Sequence, residues 1–481
     1  MQTLLTNPAP VDEKTPYRWR WAALLVILAV EVMDLLDALV TTIASPAIRA
    51  DLGGSLSLIQ WLGAAYTLAM AIGLLTGGRL GDIFGRRRMF VVGAAGFTIA
   101  SLLCGLAPSP GILIGARVVQ GLFGAVMLPQ GLGIIKQVFP PKEIAAAFGL
   151  FGPIMGMSSV GGPVLAGWLV DADYFGAGWR MIFLINLPLG LLAVGGALRF
   201  IPRDVRDGTR TPRLDVPGVL FAAIGTLLLI FPLVQGREHG WPAWAFAMLG
   251  AAVPVFAAFA WYEVRRERRG ADPLVTPSLF RKRAFTGGLI AGLVFFAALI
   301  GLSLVYSLYL QIGLHYSPLK AGLTSLPQAL GAVVGFGIAG AGLAAKLGRR
   351  LIQLGAVVMA IGAGALWFTV RTVDTPASPW QLIPAGALMG IGMGLLMAPF
   401  FDIVLAGVEQ HETGSASGTL TAVQQLGGAL GIAVLGTVFF DLVPDEGFTD
   451  ALVGTLAGVI ALLALTFLVT YLLPMRARPE E

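Results

Sequence analysis

Three carboxylates follow one another at three-residue spacing in the first apolar stretch of the chain: Glu31, Asp34 and Asp37. Three residues advance about 300° around an α-helix, so the acids share one face about 120° wide. A carboxylate at the centre of a bilayer costs roughly 2.5 to 3.5 kcal/mol, less where it borders water or is protonated. The pattern predicts proton binding and release, first by Asp37 and then by Asp34. For Glu31, a position at the membrane interface is an equal alternative.

Arg117 is the one basic residue inside an apolar stretch. A guanidinium stays charged when buried and therefore needs an acceptor. We expect Arg117 to face an acid of the first stretch and to influence its protonation, with Gln120 in the same network. The structural alternative is a static ion pair. Buried ion pairs stabilise proteins poorly on balance, which favours the functional interpretation.

The composition excludes a soluble protein. Of 481 residues, 56% are hydrophobic and 12% are charged, whereas a soluble domain carries about 25% charged residues. A spanning helix needs about 20 apolar residues, so the length leaves no room for a large soluble domain. There is no nucleotide-binding loop, and the single cysteine, Cys104, excludes an internal disulfide. We expect no cofactor and no metal, with an ion gradient as the energy source.

Apolar runs separated by charged or Pro/Gly-rich segments number fourteen, and each is read as a transmembrane helix. They fall at 21–48, 60–80, 89–107, 111–135, 144–170, 180–200, 216–236, 243–262, 285–311, 318–343, 351–370, 380–405, 413–440 and 451–473.

The basic residues predict the topology, because Lys and Arg accumulate in cytoplasmic loops. Placing the N-terminus in the cytoplasm puts 26 of the 32 Lys and Arg residues on that side. We therefore expect a multi-pass protein of the cell inner (plasma) membrane with both termini cytoplasmic. The basic charge then indicates anionic lipids as neighbours and not nucleic acid. We expect a monomer.

A short repeat indicates two related halves. Gly85-Arg86-Arg87 recurs as Gly348-Arg349-Arg350, a spacing that fits two six-helix bundles with an extra helix pair between them. The predicted segments are a tail at 1–20, a bundle at 21–200, a linker with two helices at 201–283, a bundle at 284–473 and a tail at 474–481.

Five segments resemble the major facilitator superfamily, specifically its fourteen-span drug:proton antiporter branch. They are the loop signature from Gly78 to Arg87, the fourth-span motif Arg117-Val-Val-Gln120-Gly121, the fifth-span antiporter motif Gly162-Pro163-Val-Leu-Ala-Gly167, the stretch after it from Trp179-Arg180 through Asn186-Leu-Pro188-Leu-Gly190, and the thirteenth-span segment from Gly414 to Gly428. The resemblance implies an all-α major facilitator fold with 14 transmembrane helices. It also implies a proton-coupled exporter of lipophilic, cationic drugs or antibiotics that works by alternating access.

The resemblance also implies gating residues. Asp82 would form a charge lock between helices that holds the outward-facing state, together with Gly78, Gly85, Arg86 and Arg87. In the second copy of the loop Ala345 stands where the first has Asp82, which confines this role to the first half. Gly162 and Pro163 would kink the fifth span, because proline removes a helical hydrogen bond.

A substrate cavity is expected between the halves near the midplane of the membrane. Aromatic faces attract cations and methionine adapts to varied shapes, although packing is the commoner role for such residues in spans. The candidate substrate-binding residues are Asp34, Asp37, Gln120, Trp61, Tyr66, Met155, Tyr309 and Gln424, with Met157, Tyr306 and Gln311 as further possibilities.

Two other functions remain open at this point. Export of one endogenous metabolite or antibiotic would leave the acids with proton coupling alone. A membrane sensor or scaffold of transporter ancestry would be expected to lose the charges within the spans, yet Glu31, Asp34, Asp37 and Arg117 are present. The fifth-span motif argues against uptake by symport.

Overall fold

The computed structural model describes residues 17–476, apart from 141–142, 144–145, 148–149, 204–213, 272, 374–377, 406–407 and 410–411. Within these ranges the regular structure is helical and contains no strand.

The long helices are labelled in chain order. They are α1 (Arg20–Leu52), α2 (Ser57–Phe84), α3 (Arg86–Gly105), α4 (Pro110–Val138), α5 (Phe151–Asp171), α6 (Gly178–Phe200), α7 (Val216–Gln235), α8 (Ala243–Arg268), α9 (Arg283–Gly313), α10 (Pro318–Leu347), α11 (Arg349–Thr372), α12 (Pro379–Val404), α13 (Ser415–Pro444) and α14 (Gly447–Leu472).

Twelve of these helices in the described part of the chain are long and apolar enough to cross a membrane, so the protein is a multi-pass membrane protein. The prediction of fourteen spans is not confirmed, because α1 and α5 do not belong to this set. The charges of α1 are the physical reason in its case: Glu31, Asp34 and Asp37 lower its apolar character. In α5 several side chains lie outside the described part of the structure.

The helices pack into two bundles with the same pairing pattern. In the first bundle, α1 to α6, helix α2 packs on α4, and α3 packs on α4 and α6. In the second bundle, α9 to α14, helix α10 packs on α12 in the same way. Glycines allow both close approaches: Gly77 of α2 faces the carbonyl of Ala125, and Gly390 of α12 faces the carbonyl of Gln328. Helices α7 and α8 pack on each other and form an extra pair beside α2 and α13.

The sequence repeat corresponds to a repeated turn. Gly85 and Gly348 have φ values of 100° and 51°, which glycine adopts without strain, and a new helix begins at the next residue in both cases. Arg87 donates to the carbonyl of Leu198 near the end of α6. Arg349 donates to the carbonyl of Leu473 after α14, at 2.7 Å. In each half an arginine thus caps the C-terminus of the sixth helix.

The arginine-rich loops lie at one end of the molecule, which we call the basic end. Direct hydrogen bonds join the two bundles at the opposite end. Gln311 of α9 donates to the carbonyl of Ile43 in α1 at 2.8 Å. Gln60 of α2 donates to the carbonyl of Ile432 in α13 at 3.2 Å. The amide of Leu319 donates to Asp171 at 3.1 Å. The two bundles are therefore held together at this end.

Candidate functional site

A buried ion pair lies in the core of the first bundle. Asp37 and Arg117 are 2% and 1% exposed, and the Arg117 guanidinium donates to Oδ2 of Asp37. The Nε atom of Arg117 also donates to the carbonyl of Leu62 at 3.2 Å. The ring of Tyr66 covers the guanidinium at 4.2 Å, in cation–π geometry. The charge of Arg117 is therefore matched by a carboxylate, a carbonyl and an aromatic face.

The other oxygen of Asp37 is held by two amides. Its Oδ1 accepts from Gln120 Nε2 at 2.8 Å and from Asn186 Nδ2 at 2.9 Å. The carbonyl oxygen of Gln120 accepts from Arg117 at 2.8 Å. Ser101 of α3 accepts from Asn186 at 3.0 Å and donates to a carbonyl of α6. Asp37 is thus held by donors from α4 and α6, which fixes the orientation of its carboxylate.

The other two acids of α1 continue toward the basic end and also face α4. Asp34 accepts a hydrogen bond from the Tyr66 hydroxyl, and a Cβ atom placed on Gly124 would lie 3.4 Å from Asp34 Oδ1. A Cβ atom on Gly131 would lie 3.9 Å from a Glu31 oxygen. Glu31 and Asp34 are partly exposed whereas Asp37 is buried. The acids form a line from a partly exposed position to the buried ion pair.

Tyr66 connects the two parts of this line. Its hydroxyl binds Asp34 while its ring covers Arg117, the partner of Asp37. A change of charge on Asp34 therefore lies one side chain away from the ion pair. The arrangement can pass an electrostatic change from one carboxylate to the next without moving the backbone.

Asp82, the predicted gating acid, forms its ion pair with an arginine of the same loop motif. Asp82 pairs with Arg86 at 2.9 Å, and the two side chains are 45% and 39% exposed. The guanidinium of Arg86 occupies the space beside Gly133 of α4. Gly78 lies beside Pro129 of α4, at 3.9 Å from a Cβ atom placed on the glycine. In the described ion pairs Asp82 is joined to Arg86 and not to the second bundle.

Gly162 and Pro163 lie where three helices meet. A Cβ atom on Gly162 would lie 3.0 Å from Leu39 of α1. The carbonyl of Pro163 lies against Gly322 of α10. The motif therefore joins the acid-bearing helix to the second bundle.

The substrate candidates do not form one cluster. Asp34, Asp37, Tyr66 and Gln120 lie together in the first bundle, whereas Tyr309 and Gln424 lie in the second. Gln424 is half-buried and its amide nitrogen has no partner in the described structure. Trp61 lies elsewhere: its ring packs on Phe231 of the extra pair at 5.9 Å. The side chain of Met155 is outside the described part of the structure.

Asn186 and Ser101 were not predicted as site residues. Asn186 is 1% exposed and Ser101 is fully buried, and both take part in the Asp37 network. The available signal was an amide within the apolar run Met-Ile-Phe-Leu-Ile-Asn-Leu, since a buried amide needs a polar partner. The identity of that partner is not readable from spacing, because Asn186 and Asp37 are far apart in the chain.

Comparisons with known proteins find relatives that cover most of the chain. The Major Facilitator Superfamily matches residues 26–432. The probable actinorhodin transporter of Streptomyces coelicolor is 53% identical over 431 residues, which cover 90% of this chain and 74% of that protein. The puromycin resistance protein pur8 of Streptomyces alboniger is 40% identical, covering 87% and 82%. The tetracenomycin C resistance and export protein of Streptomyces glaucescens is 33% identical, covering 88% and 77%.

Solved structures with the same fold are more distant in sequence. A POT family transporter in complex with a thioalcohol-conjugated peptide has a TM-score of 0.67 at 15% identity, covering 92% of this chain and 94% of that one. A D-xylose-proton symporter has a TM-score of 0.65 at 16% identity, covering 92% and 97%. These likenesses show the fold. The match over residues 26–432 and the transporter relatives show that the chain belongs to the Major Facilitator Superfamily and is a membrane transporter, not an enzyme.

Proposed function

We propose that this protein exports small organic molecules of the antibiotic type in exchange for protons. The observation that carries the proposal is the acid line of α1, in which Asp34 and Asp37 are joined through Tyr66 and Arg117. Relatives named for puromycin resistance and for tetracenomycin C export support the substrate class. No cofactor is needed, because the membrane potential supplies about 2.3 kcal/mol per proton at 100 mV, enough for a roughly 50-fold gradient.

The proposed exchange takes place on the acid line. A proton that reaches Asp34 removes a negative charge that is separated from Arg117 by the side chain of Tyr66. This change weakens the electrostatic attraction between the acids of α1 and a cationic substrate. It also alters the electric field at the Asp37–Arg117 ion pair. Arg117 then exchanges partners between Asp37, Gln120 and the Leu62 carbonyl, all of which it already contacts.

The proposed topology has fourteen spans, with α1 and α5 added to the twelve apolar helices. Helix α1 has 33 residues and packs on α5 and α6, while α5 packs between α1 and α10, so both lie among the other spans. The excess of Lys and Arg at the basic end supports a cytoplasmic location of that end and of both termini in the plasma membrane. We also propose that the protein is a monomer with anionic lipids at its cytoplasmic face. Its proposed domains are the first bundle at 21–200, the linker with two helices at 201–283 and the second bundle at 284–473.

Alternating access requires the bundles to separate first at one end and then at the other. The bonds of Gln60 and Gln311 across the bundles must break when the end opposite the basic end opens. We propose that Asp82 leaves Arg86 and forms its lock with the second bundle at that stage. Gly162 and Pro163 would serve as the hinge about which α5 moves.

A second candidate is export of one endogenous antibiotic. The relative with 53% identity, named as a probable actinorhodin transporter, favours it. The two candidates differ in the range of substrates that drive proton movement.

The test is substrate-driven proton release from energised inverted vesicles, followed with a pH-sensitive dye. The panel contains a quaternary ammonium dye, puromycin, a neutral polyketide and an anionic polyketide. Asp34→Asn and Asp37→Asn should abolish the release, whereas Asp402→Asn, an exposed acid at the end of α12, should leave it unchanged. Release with a single compound would favour the endogenous-antibiotic exporter. Full release by both variants would refute the proposed coupling.

A further inference from the structure

A second pair of buried acids lies outside the acid line, where α7 and α8 meet. Asp215 precedes α7 and is fully buried, and Glu263 near the end of α8 is 3% exposed. Oδ1 of Asp215 accepts from the Gly218 amide at 3.1 Å and from Tyr262 at 2.8 Å, and it lies 3.3 Å from Arg266. Oε2 of Glu263 accepts from the amide of Val275 at 3.1 Å.

The remaining oxygen of each acid has no donor in the described structure. These atoms, Asp215 Oδ2 and Glu263 Oε1, are both buried. They converge on Gly218, where an added Cβ atom would lie 2.5 Å from the first and 2.7 Å from the second. The two unpartnered oxygens therefore lie beside the same point of α7 and face each other across it. Two ionised carboxylates are both acceptors and repel each other, whereas one proton between them forms an O–H···O bond that satisfies both.

We infer that Asp215 and Glu263 share one proton and form a second protonation site of this protein, located in its extra helix pair. With that proton the cluster of Asp215, Glu263 and Arg266 is neutral, and without it the buried cluster carries one net negative charge. Among the described ion pairs, Arg266 pairs with Asp215, and none of these pairs includes Glu263. Among the described residues, Tyr262 and Arg266 of α8 contact Asp215. Arg79 of α2 and the Lys282–Glu412 ion pair contact the segment that follows α8.

A proton fits this site better than a metal ion. Only one oxygen of each acid is without a donor, whereas Ca²⁺ takes six to eight oxygen ligands and Mg²⁺ takes six. The other oxygens are already occupied by Gly218, Tyr262 and Val275.

The acid pair anchors a segment that contacts both bundles. This segment, residues 273–276, is called the strap. The amide of Val275 binds Glu263, and the carbonyl of Pro273 accepts from Arg79 at the end of α2. The hydroxyl of Thr276 donates to Ser415 at the start of α13, at 2.9 Å. Loss of the proton would push Glu263 away from Asp215, and the strap would move with Glu263 because the Val275 amide is bonded to it. Protonation of the pair therefore controls whether the strap keeps its contacts with Arg79 and Ser415 at the basic end.

The first test measures the proton directly by infrared spectroscopy of the purified full-length protein in nanodiscs. A protonated carboxyl has a C=O stretching band that shifts in D₂O. Difference spectra at neutral pH should show one such band in the wild type that is lost in both Glu263→Gln and Asp215→Asn. Glu267→Gln, one turn further along α8, is the matched control and should keep the band. If the band is kept in both variants, the two acids do not share a proton.

The second test measures the strap by hydrogen exchange, with rates normalised for their intrinsic pH dependence. Protection of peptides covering 214–221 and 273–279 should fall by about tenfold or more in the wild type as the pH is raised. In Glu263→Gln it should stay constant, because the amide replaces the shared proton as donor. Gly218→Ala, whose Cβ atom separates the two acids, should lose protection at every pH. Protection that instead follows added Na⁺ or Ca²⁺ at constant pH would identify a cation site and overturn the inference.

Both tests are independent of transport. The infrared band and the strap protection can be measured in a protein that moves no substrate, so failure here is distinguishable from failure of the proposed export function. A variant that does not purify as a single species is replaced by the other member of the pair, since either substitution removes the shared proton.

Discussion

At the scale of single residues, the buried charge of Arg117 is the feature on which the site depends. Its guanidinium contacts Asp37, Gln120, the Leu62 carbonyl and the ring of Tyr66 at once. A planar fork with five donors can make these contacts together, whereas an ammonium cannot. Removing one partner of a buried ion pair costs about 3 to 5 kcal/mol, because the other charge is left unmatched.

Arg117→Lys is therefore expected to lower substrate-driven proton release by about tenfold or more, although the charge is kept. Inverted vesicles with equal amounts of transporter are the assay. Lys320→Arg, on the surface near the start of α10, is a matched exchange that should have no effect. Normal release by Arg117→Lys would mean that charge alone is needed at this position.

Asn186 offers a test of positioning. Asn186→Leu keeps the approximate volume but removes the donors to Asp37 and Ser101, which leaves Asp37 with one fewer hydrogen bond. An unsatisfied buried group costs about 1 to 3 kcal/mol, so thermal stability should fall and the pH profile of transport should shift. The melting temperature in detergent and the pH profile are measured together. A fall in stability with an unchanged pH profile would limit Asn186 to a structural role.

At the scale of the elements, an ion pair connects the segment before α9 to the start of α13. Lys282 donates to Glu412 at 2.5 Å, and Ser278 donates to the same carboxyl at 2.6 Å. These bonds lower the pKa of Glu412 from 4.5 to about 2, mainly through Lys282. A lowered folded-state pKa means that the pair stabilises the protein fully above pH 4.5, and that this stabilisation is lost as the pH falls toward 2.

We expect Glu412→Gln to lower the melting temperature at neutral pH and to differ less from the wild type as the pH falls below 4.5. Melting curves of the purified protein across this range provide the measurement. The control is Glu409→Gln, since the Glu409 carboxyl is 65% exposed and lies 3.7 Å from Lys282. A constant difference between wild type and Glu412→Gln at all pH values would contradict the assigned cause.

At the scale of the whole molecule, the two bundles are joined at the end opposite the basic end. Gln311 crosses from α9 to the carbonyl of Ile43, a bond inside the interface that α1 forms with the second bundle. The bond is 2.8 Å long and the side chain is 9% exposed, so little water competes for it. A net contribution of about 1 kcal/mol would change the ratio of closed to open forms about fivefold.

Gln311→Leu should therefore increase the population in which this end is open. Spin labels at two exposed positions near this end, Phe175 in the first half and Trp380 in the second, report the separation. The native cysteine is buried and does not compete for label. Ser325→Ala, which removes a bond within α10 alone, is the control. An unchanged distance distribution in Gln311→Leu would show that this bond does not govern the opening.

The prediction of a major facilitator fold from motifs was confirmed. The loop and span motifs consist of residues that are close in the chain, so they can be recognised without knowing how the helices pack. The number of spans was not confirmed, since twelve helices of the described part are long and apolar enough to cross a membrane, and three acids lower the apolar character of α1. The contacts of the candidate site were predicted in part, and the roles of its residues stay predictions. Asp37, Arg117 and Gln120 were expected to form a network, and the structure places them in contact.

The sequence by itself determined the class of protein, the membrane environment and the residues that need partners, because each follows from composition or short-range pattern. Only the tertiary structure decided which partner each residue has. Asn186 reaches Asp37, Trp61 faces the extra pair, and Glu263 meets Asp215 through helix packing that no local spacing encodes. Buried polar groups require partners, but the fold alone decides which groups are close enough to meet.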